Sequence, residues 1–310
     1  MGVVHLADYR PMGEPTAKIL EGRTAAPPRS TGSDDPVVDI SGALREGRRT
    51  ESRHTLVRWV RTPRRPRLWF EILLIGASYW VYSLVRNAVP EQEAAAMRHA
   101  RQIWHLEQAL GIAVENHINH AIESVTWLIV GMNYYYATLH FIMTIGVLVW
   151  LYHKHPGRYA SARLTIFATT GIALVGFYFY PLAPPRLMRG GGFIDTVAVH
   201  HTWGSMASGN LAHVSNQYAA MPSMHIGWSL WCGITIATLT RPVWTKALGL
   251  LYPVATLVVI ISTANHFWLD AAGGILTLSF GFTVSFLAYG RFTYHLPRSL
   301  TLATASNQAS

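Results

Sequence analysis

A chain of 310 residues, half of them apolar and only 13% charged, falls well short of the ~25% charge of ordinary soluble domains. That excludes a water-soluble globule as the frame for most of it. The net charge of +9 does not point to nucleic acid, because 13 of the 25 Lys and Arg precede residue 68, in a segment with no core pattern, and no nucleic-acid partner is expected.

Residues 1–52 are rich in Pro, Gly, Ser and charge, as in the run Ala25 to Pro36. Such a segment buries too little apolar surface to offset its ordering entropy, and it reads as a disordered cytoplasmic tail. No short apolar stretch with a cleavage site stands at the N-terminus. Residues 53–67 form a basic juxtamembrane segment with Arg53, Arg58, Arg61, Arg64, Arg65 and Arg67, suited to anionic headgroups and to setting topology. Residues 68–292 read as one membrane domain and 293–310 as a cytoplasmic tail. Arg dominates the basic residues, with Lys only at Lys18, Lys154 and Lys246, a bias that points to a GC-rich bacterial genome. The lone cysteine, Cys232, rules out an internal disulfide and reads as a small buried hydrophobe.

Apolar runs of about 20 residues, the length that crosses a bilayer, recur from residue 68 onward. They predict spans near 68–87, 132–152, 162–181, 222–240, 244–264 and 267–290. The fold class is therefore all-α, a polytopic membrane protein with about six transmembrane helices. Between the first two spans, Ile103, Leu106, Leu110, Val114 and Ile118 recur at helical spacing and predict an amphipathic interfacial helix. With six spans, twenty Lys and Arg lie on one side of the membrane and five on the other. The positive-inside rule then puts both termini in the cytoplasm.

Ionisable groups at span ends are costly and mark functional candidates. Three clusters qualify. After the third span, Tyr180-Pro-Leu-Ala-Pro-Pro-Arg-Leu-Met188 ends the helix on prolines and holds Arg186 near the surface, where its fork suits a phosphate. Alone, such an arginine also suits lipid headgroups. Ala220-Met-Pro-Ser-Met-His225 opens the fourth span. Pro222 is expected in the first helical turn, with Ser223 and free amides turned outward as an anion site. A lone His225 would be a satisfied structural residue as readily as a functional one. At the turn into the sixth span, His266 and Asp270 are four apart. On a helix they share a face, so the carboxylate fixes one ring nitrogen and leaves the other as a nucleophile. All three clusters fall on the outer face by the topology above. The N-termini of the fourth and sixth helices would add positive potential there.

Pro222-Ser-Met-His225 and His266-x-x-x-Asp270, preceded by the Arg186 motif, resemble the type 2 phosphatidic acid phosphatase superfamily over roughly residues 100–290. Within it they look most like the inositolphosphotransferase branch, which contains inositol phosphorylceramide synthase. The resemblance implies His266 as nucleophile, His225 as general acid, Asp270 as orienter of the nucleophile, Arg186 and Ser223 as phosphate binders, and no metal or other cofactor. The chain departs from the pattern where Phe179, Met224 and Ile260 stand for the usual Lys, Gly and Arg. That disfavours an ordinary lipid phosphate phosphatase and favours the transferase branch. Asn265, Thr263 and Arg189 are candidates to replace the lost phosphate contacts.

Other polar groups read more plainly. His140 lines a substrate cavity or is a packed, hydrogen-bonded residue. His200 and His201 read as solvated. Asn216, Gln217 and Tyr218 are candidate headgroup contacts. The expected partners are a lipid or polyprenyl phosphate, membrane lipids and, for a transferase, an alcohol or polyol acceptor. The alternatives are a plain phosphatidic acid or polyprenyl phosphate phosphatase, a lipid transporter with a His/Asp proton relay, a metal-dependent hydrolase and an inactive family member.

Overall fold

The computed structural model describes residues 67–88, 93–188, 190–202 and 217–299. The expected tail 1–52, the juxtamembrane segment up to residue 66, Arg189, Asn216 and residues 300–310 lie outside them. Among the described residues there are helices and turns and no strand, with one isolated parallel bridge between Leu182 and Ala219.

Helices run in the order α1 (Leu68–Ala88), α2 (Glu93–Ala109), α3 (Glu115–Glu123), α4 (Thr126–Lys154), α5 (Pro156–Phe179), the short α6 (Thr196–Val199), α7 (Met224–Leu239), α8 (Val243–Ser262) and α9 (Trp268–Tyr289). Of these, α4, α5, α8 and α9 are long and apolar enough to cross a membrane. The protein is an all-α membrane protein. The 16-residue α7 and the apolar start of α1, Leu68–Ser78, are shorter. At ~1.5 Å per residue, α7 covers less than the ~30 Å hydrocarbon core. Large apolar side chains such as Trp127, Val243, Leu276 and Leu287 face outward, as lipid-facing surfaces do.

Local chemistry explains the boundaries. Pro156 sits at the start of α5, where its missing N–H costs nothing. Gly290 ends α9 in the left-handed region at φ 69°. α7 packs against α8, α9 and α4, and α9 packs along α5. The α7–α8 crossing brings Gly233 against Gly249: a Cβ on Gly233 would stand 2.5 Å from the Gly249 carbonyl oxygen. Close approach through small residues drives helix association in lipid. Leu151, Ala162, Ile166, Trp231, Cys232 and Leu278 form the central core. The buried Glu71 of α1 pairs with Arg163 and accepts the Tyr159 hydroxyl at 3.0 Å. Both partners lie on α5, so a charge costly in a span is compensated.

The connection between the first two spans differs from expectation. Its periodic pattern is two helices broken at Gly111, whose φ is +71°. The buried face of α2 is Ala96, Ala100, Ile103 and Glu107, while Leu106, Leu110 and Val114 are exposed. Small residues win because α2 lies tightly against the rest of the protein. Its Ala96 carbonyl accepts the Ala183 amide at 3.3 Å, and His99 stacks on Tyr180 while its Nδ1 donates to the Pro181 carbonyl at 2.7 Å. Residues 293–299, drawn from sequence as tail, fold back onto the opposite end of the bundle. There Arg158 Nε donates to the Leu296 carbonyl at 2.7 Å and Arg298 Nε to the Lys154 carbonyl at 3.0 Å.

Candidate active site

The end of α5 and the starts of α7 and α9 meet at one end of the bundle. After Phe179 the prolines carry the chain out of helix, and Arg186 lies in a single 3-10 turn, Pro185–Leu187. The Arg186 amide donates to the Ala264 carbonyl at 2.8 Å, and the Ser223 amide to the Asp270 carbonyl at 2.9 Å. These backbone bonds tie the three sequence clusters into one site.

His266 and Asp270 are joined, but not in the way their spacing predicts. α9 begins only at Trp268, with Phe267 as its N-cap, so His266 precedes the helix. Asp270, in the first turn, folds back. Its Oδ2 accepts the Phe267 amide at 2.9 Å and lies 3.2 Å from His266 Nδ1. The pair is thus part of a helix cap rather than a helix face. A carboxylate accepts, so Nδ1 carries the proton and Nε2 holds the free lone pair.

α7 also starts later than expected. Pro222 stands ahead of the helix and Ser223 is its N-cap. Ser223 is fully buried rather than turned outward. His225 follows in the first turn, with its ring centroid 5.5 Å from that of His266. The Nε2 atoms of His225 and His266 and the Ser223 Oγ are all buried without a hydrogen-bond partner. An unmet buried polar group costs about 1–3 kcal/mol. A polar ligand bound between these residues would supply the missing partners.

Arg186 is held on two sides. Its Nε donates to Asn265 Oδ1 at 3.0 Å and its Nη1 to Asp195 Oδ2 at 3.1 Å. Asn265 in turn donates to Thr263 Oγ1 at 2.8 Å, so these two residues position the arginine. Asp195 also caps α6 by accepting the Val197 and Ala198 amides.

His140 is buried and joins the site. Its Nδ1 donates to the Tyr136 carbonyl at 3.1 Å, and its ring centroid is 4.3 Å from that of His225. Tyr136 stacks on the other side, 4.2 Å from His225 with planes 20° apart. Both come from the part of α4 where a π-helical stretch, Tyr135–Leu139, interrupts the helix. Such stretches recur at functional sites, and apolar periodicity gives no sign of one. Tyr218 packs with the α2 contact cluster and accepts the Leu182 amide through its carbonyl. His201 is exposed, whereas His200 is half-buried with Nε2 3.5 Å from Glu123. Phe179 is 76% exposed and Ile260 is buried in an apolar cluster. Neither supplies a phosphate contact.

The sequence reading missed Glu107 and Glu115. Both are fully buried, with Glu107 Oε1 accepting the Leu269 amide at 2.8 Å and Glu115 Oε1 the Trp268 amide at 3.2 Å. Together with Asp270 they occupy the first amides of α9. That corrects the expectation that this helix start adds positive potential for a phosphate. The signal was the interruption of the α2 apolar stripe by a carboxylate at the spacing of Ala96, Ala100 and Ile103.

An apolar cavity of about 550 Å³ adjoins the site, with Ile103, Val175, Phe179, Tyr180, Pro222 and Leu276 among its walls. Among the described residues, no three His, Cys, Asp or Glu side chains are placed to hold one metal ion. A family model described as the PAP2 superfamily matches residues 101–284, a stretch that contains Arg186, Ser223, His225, His266 and Asp270. No curated protein matches the chain, and neither does any solved structure.

Proposed function

This chain belongs to the PAP2 superfamily, and on that premise we propose that it is a lipid-phosphate phosphotransferase or phosphatase working through a phosphohistidine on His266. The observation that carries this reading is the His266–Asp270 pair at 3.2 Å with the far Nε2 buried and unpartnered. Nε2 attacks phosphorus in line, the ester P–O bond breaks, and His225 donates a proton to the departing oxygen. General acid catalysis of this kind typically contributes about 10²–10⁴-fold. Water or an alcohol then attacks the phosphohistidine, the P–N bond breaks, and His225 takes the proton back. Arg186 and Ser223 hold the oxygens on which charge develops, with Asn265 and Asp195 fixing the guanidinium plane. The route needs no metal.

The apolar cavity supports a lipid substrate, because its Pro222 wall directly precedes Ser223. We assign the site to the outer membrane face, with both termini cytoplasmic, from the asymmetry of Lys and Arg between the loops. The departures at Phe179, Met224 and Ile260, with Asn265 set beside Arg186, favour transfer to a polyol in the manner of an inositolphosphotransferase over plain hydrolysis.

The test is turnover by purified protein in nanodiscs with EDTA present. Phospholipids and polyprenyl phosphates are offered with and without inositol, glycerol and lipid alcohols, and products are read by mass spectrometry. Metal-free turnover that His266→Ala abolishes is the expected result, and the products decide between transfer and hydrolysis. Equal turnover in His266→Ala, or turnover only with added metal, would overturn the mechanism.

A further inference from the structure

Glu107 and Glu115 are buried carboxylates with no role in the mechanism above. Glu107 closes the buried stripe of α2, and Glu115 opens α3 just past the Gly111 turn. Carboxylates with no water contact need hydrogen-bond donors. Each has one: α9 presents the amides of Phe267, Trp268 and Leu269 to Asp270, Glu115 and Glu107 in turn, at 2.9, 3.2 and 2.8 Å. The second oxygens, Glu107 Oε2 and Glu115 Oε2, are buried without a donor. The amides they accept belong to adjacent residues, Trp268 and Leu269, so the two carboxyl groups stand side by side at the start of α9. Among the described residues no Lys or Arg forms an ion pair with either. Two carboxylates side by side in a dry site do not both ionise, and one proton between them satisfies both orphan oxygens.

We propose that Glu107 and Glu115 share one proton and act as positioning residues for His266, a role that rests on the phosphohistidine reading. The three capped amides belong to the three residues directly after His266. The clamp therefore sets where the imidazole stands relative to Asp270 and His225. The charged groups that face Glu107 are Glu115 from α3 and Asp270 from α9. Both are acids, so removal of the shared proton crowds negative charge around the start of α9 and loosens the clamp. Burial, then the neighbouring Glu115 carboxyl, push Glu107 up to about 9, so Glu107 holds its proton at neutral pH and releases it in mild alkali.

Gln at position 107 keeps an acceptor for the Leu269 amide and permanently supplies the donor to Glu115. Ala supplies neither. The full-length protein in nanodiscs is titrated by infrared spectroscopy, and its turnover of lipid phosphate is followed against pH, for wild type, Glu107→Gln and Glu107→Ala. In wild type, a protonated-carboxyl band and kcat are expected to fall together with a midpoint of about 9. Glu107→Gln is expected to lack that band, to keep kcat within about threefold at neutral pH and to lose the alkaline limb. Glu107→Ala is expected to lose at least about tenfold in kcat with little change in KM. An identical band in wild type and Glu107→Gln, or a Gln variant as impaired as the Ala variant, would overturn the proposal. If wild type turned over no lipid phosphate, the phosphohistidine reading would fall by itself. The infrared titration would still decide the shared proton.

Discussion

The crossing of α7 and α9 sets the distance between the two site histidines, and Gly274→Ala tests it directly. A Cβ on Gly274 would fall well inside contact distance of the Ser223 carbonyl oxygen and lie 3.3 Å from both the Gly227 amide nitrogen and Ile226 Cβ. The Ser223 carbonyl accepts the Gly227 amide at 3.1 Å in the first turn of α7, so it has no side-chain freedom with which to yield. Relief requires the two helices to part by roughly 1 Å, the shortfall from ordinary van der Waals contact. Overpacking of this kind costs about 1–3 kcal/mol. The rings of His225 and His266, 5.5 Å apart, are borne by the two chains that would separate. A displacement near 1 Å at reacting groups costs on the order of 10²-fold in rate. Gly274→Ala is thus expected to lower kcat on a lipid phosphate about 10²-fold while the protein still purifies as a folded species. Gly171→Ala, whose Cβ meets nothing within 4 Å, is the matched control and should be neutral. Turnover and Tm are measured on both in nanodiscs. Wild-type turnover and Tm in Gly274→Ala would refute the claim that this crossing fixes the site.

Asp270→Asn preserves volume but breaks the tautomer lock on His266. It should lower kcat roughly 10²–10⁴-fold, measured under saturating substrate. Arg186→Lys removes the fork that bonds Asn265 and Asp195 at once and should weaken kcat/KM at least about tenfold. Asn265→Ala should reproduce part of that loss, and a binding titration with a phosphate analogue checks both. His155, between α4 and α5, is pushed down to about 4 by burial and by the charges of Arg158 and Arg298. The unfolded chain then binds the extra proton first. Stability present above about pH 6.5 is lost progressively toward about pH 4, and His155→Phe should flatten that acid slope in a Tm-versus-pH series.

Composition and hydropathy sufficed for the all-α membrane class, because a bilayer demands long apolar helices whatever their packing. Arg186, Ser223, His225, His266 and Asp270 were legible as candidates because charged and polar residues at span ends stand out against an apolar background. Their geometry was not. Spacing four put His266 and Asp270 on a helix face, whereas tertiary contacts delay α9 until Trp268 and turn the same spacing into a cap. Tyr136 lies within the π-helical stretch of α4 and His140 directly after it, and both rings reach His225.

The apolar stripe of α2 shows the same division. Its period of three to four residues was visible in the sequence and correctly marked helix. The period marked Leu106, Leu110 and Val114 as the apolar face of an interfacial helix, and they are exposed on the protein surface, while close packing fills the inner face with Ala96, Ala100, Ile103 and Glu107. The sequence by itself determined the all-α membrane class and the candidate residues for the site, since these follow from residue type and local period, while four of the six expected spans are long and apolar enough to cross a membrane. Only the tertiary structure decided which amides the buried carboxylates take, which partners hold Arg186 and how close His225 comes to His266. Those depend on contacts between residues as far as 162 positions apart, such as Glu107 and Leu269, which no local pattern encodes.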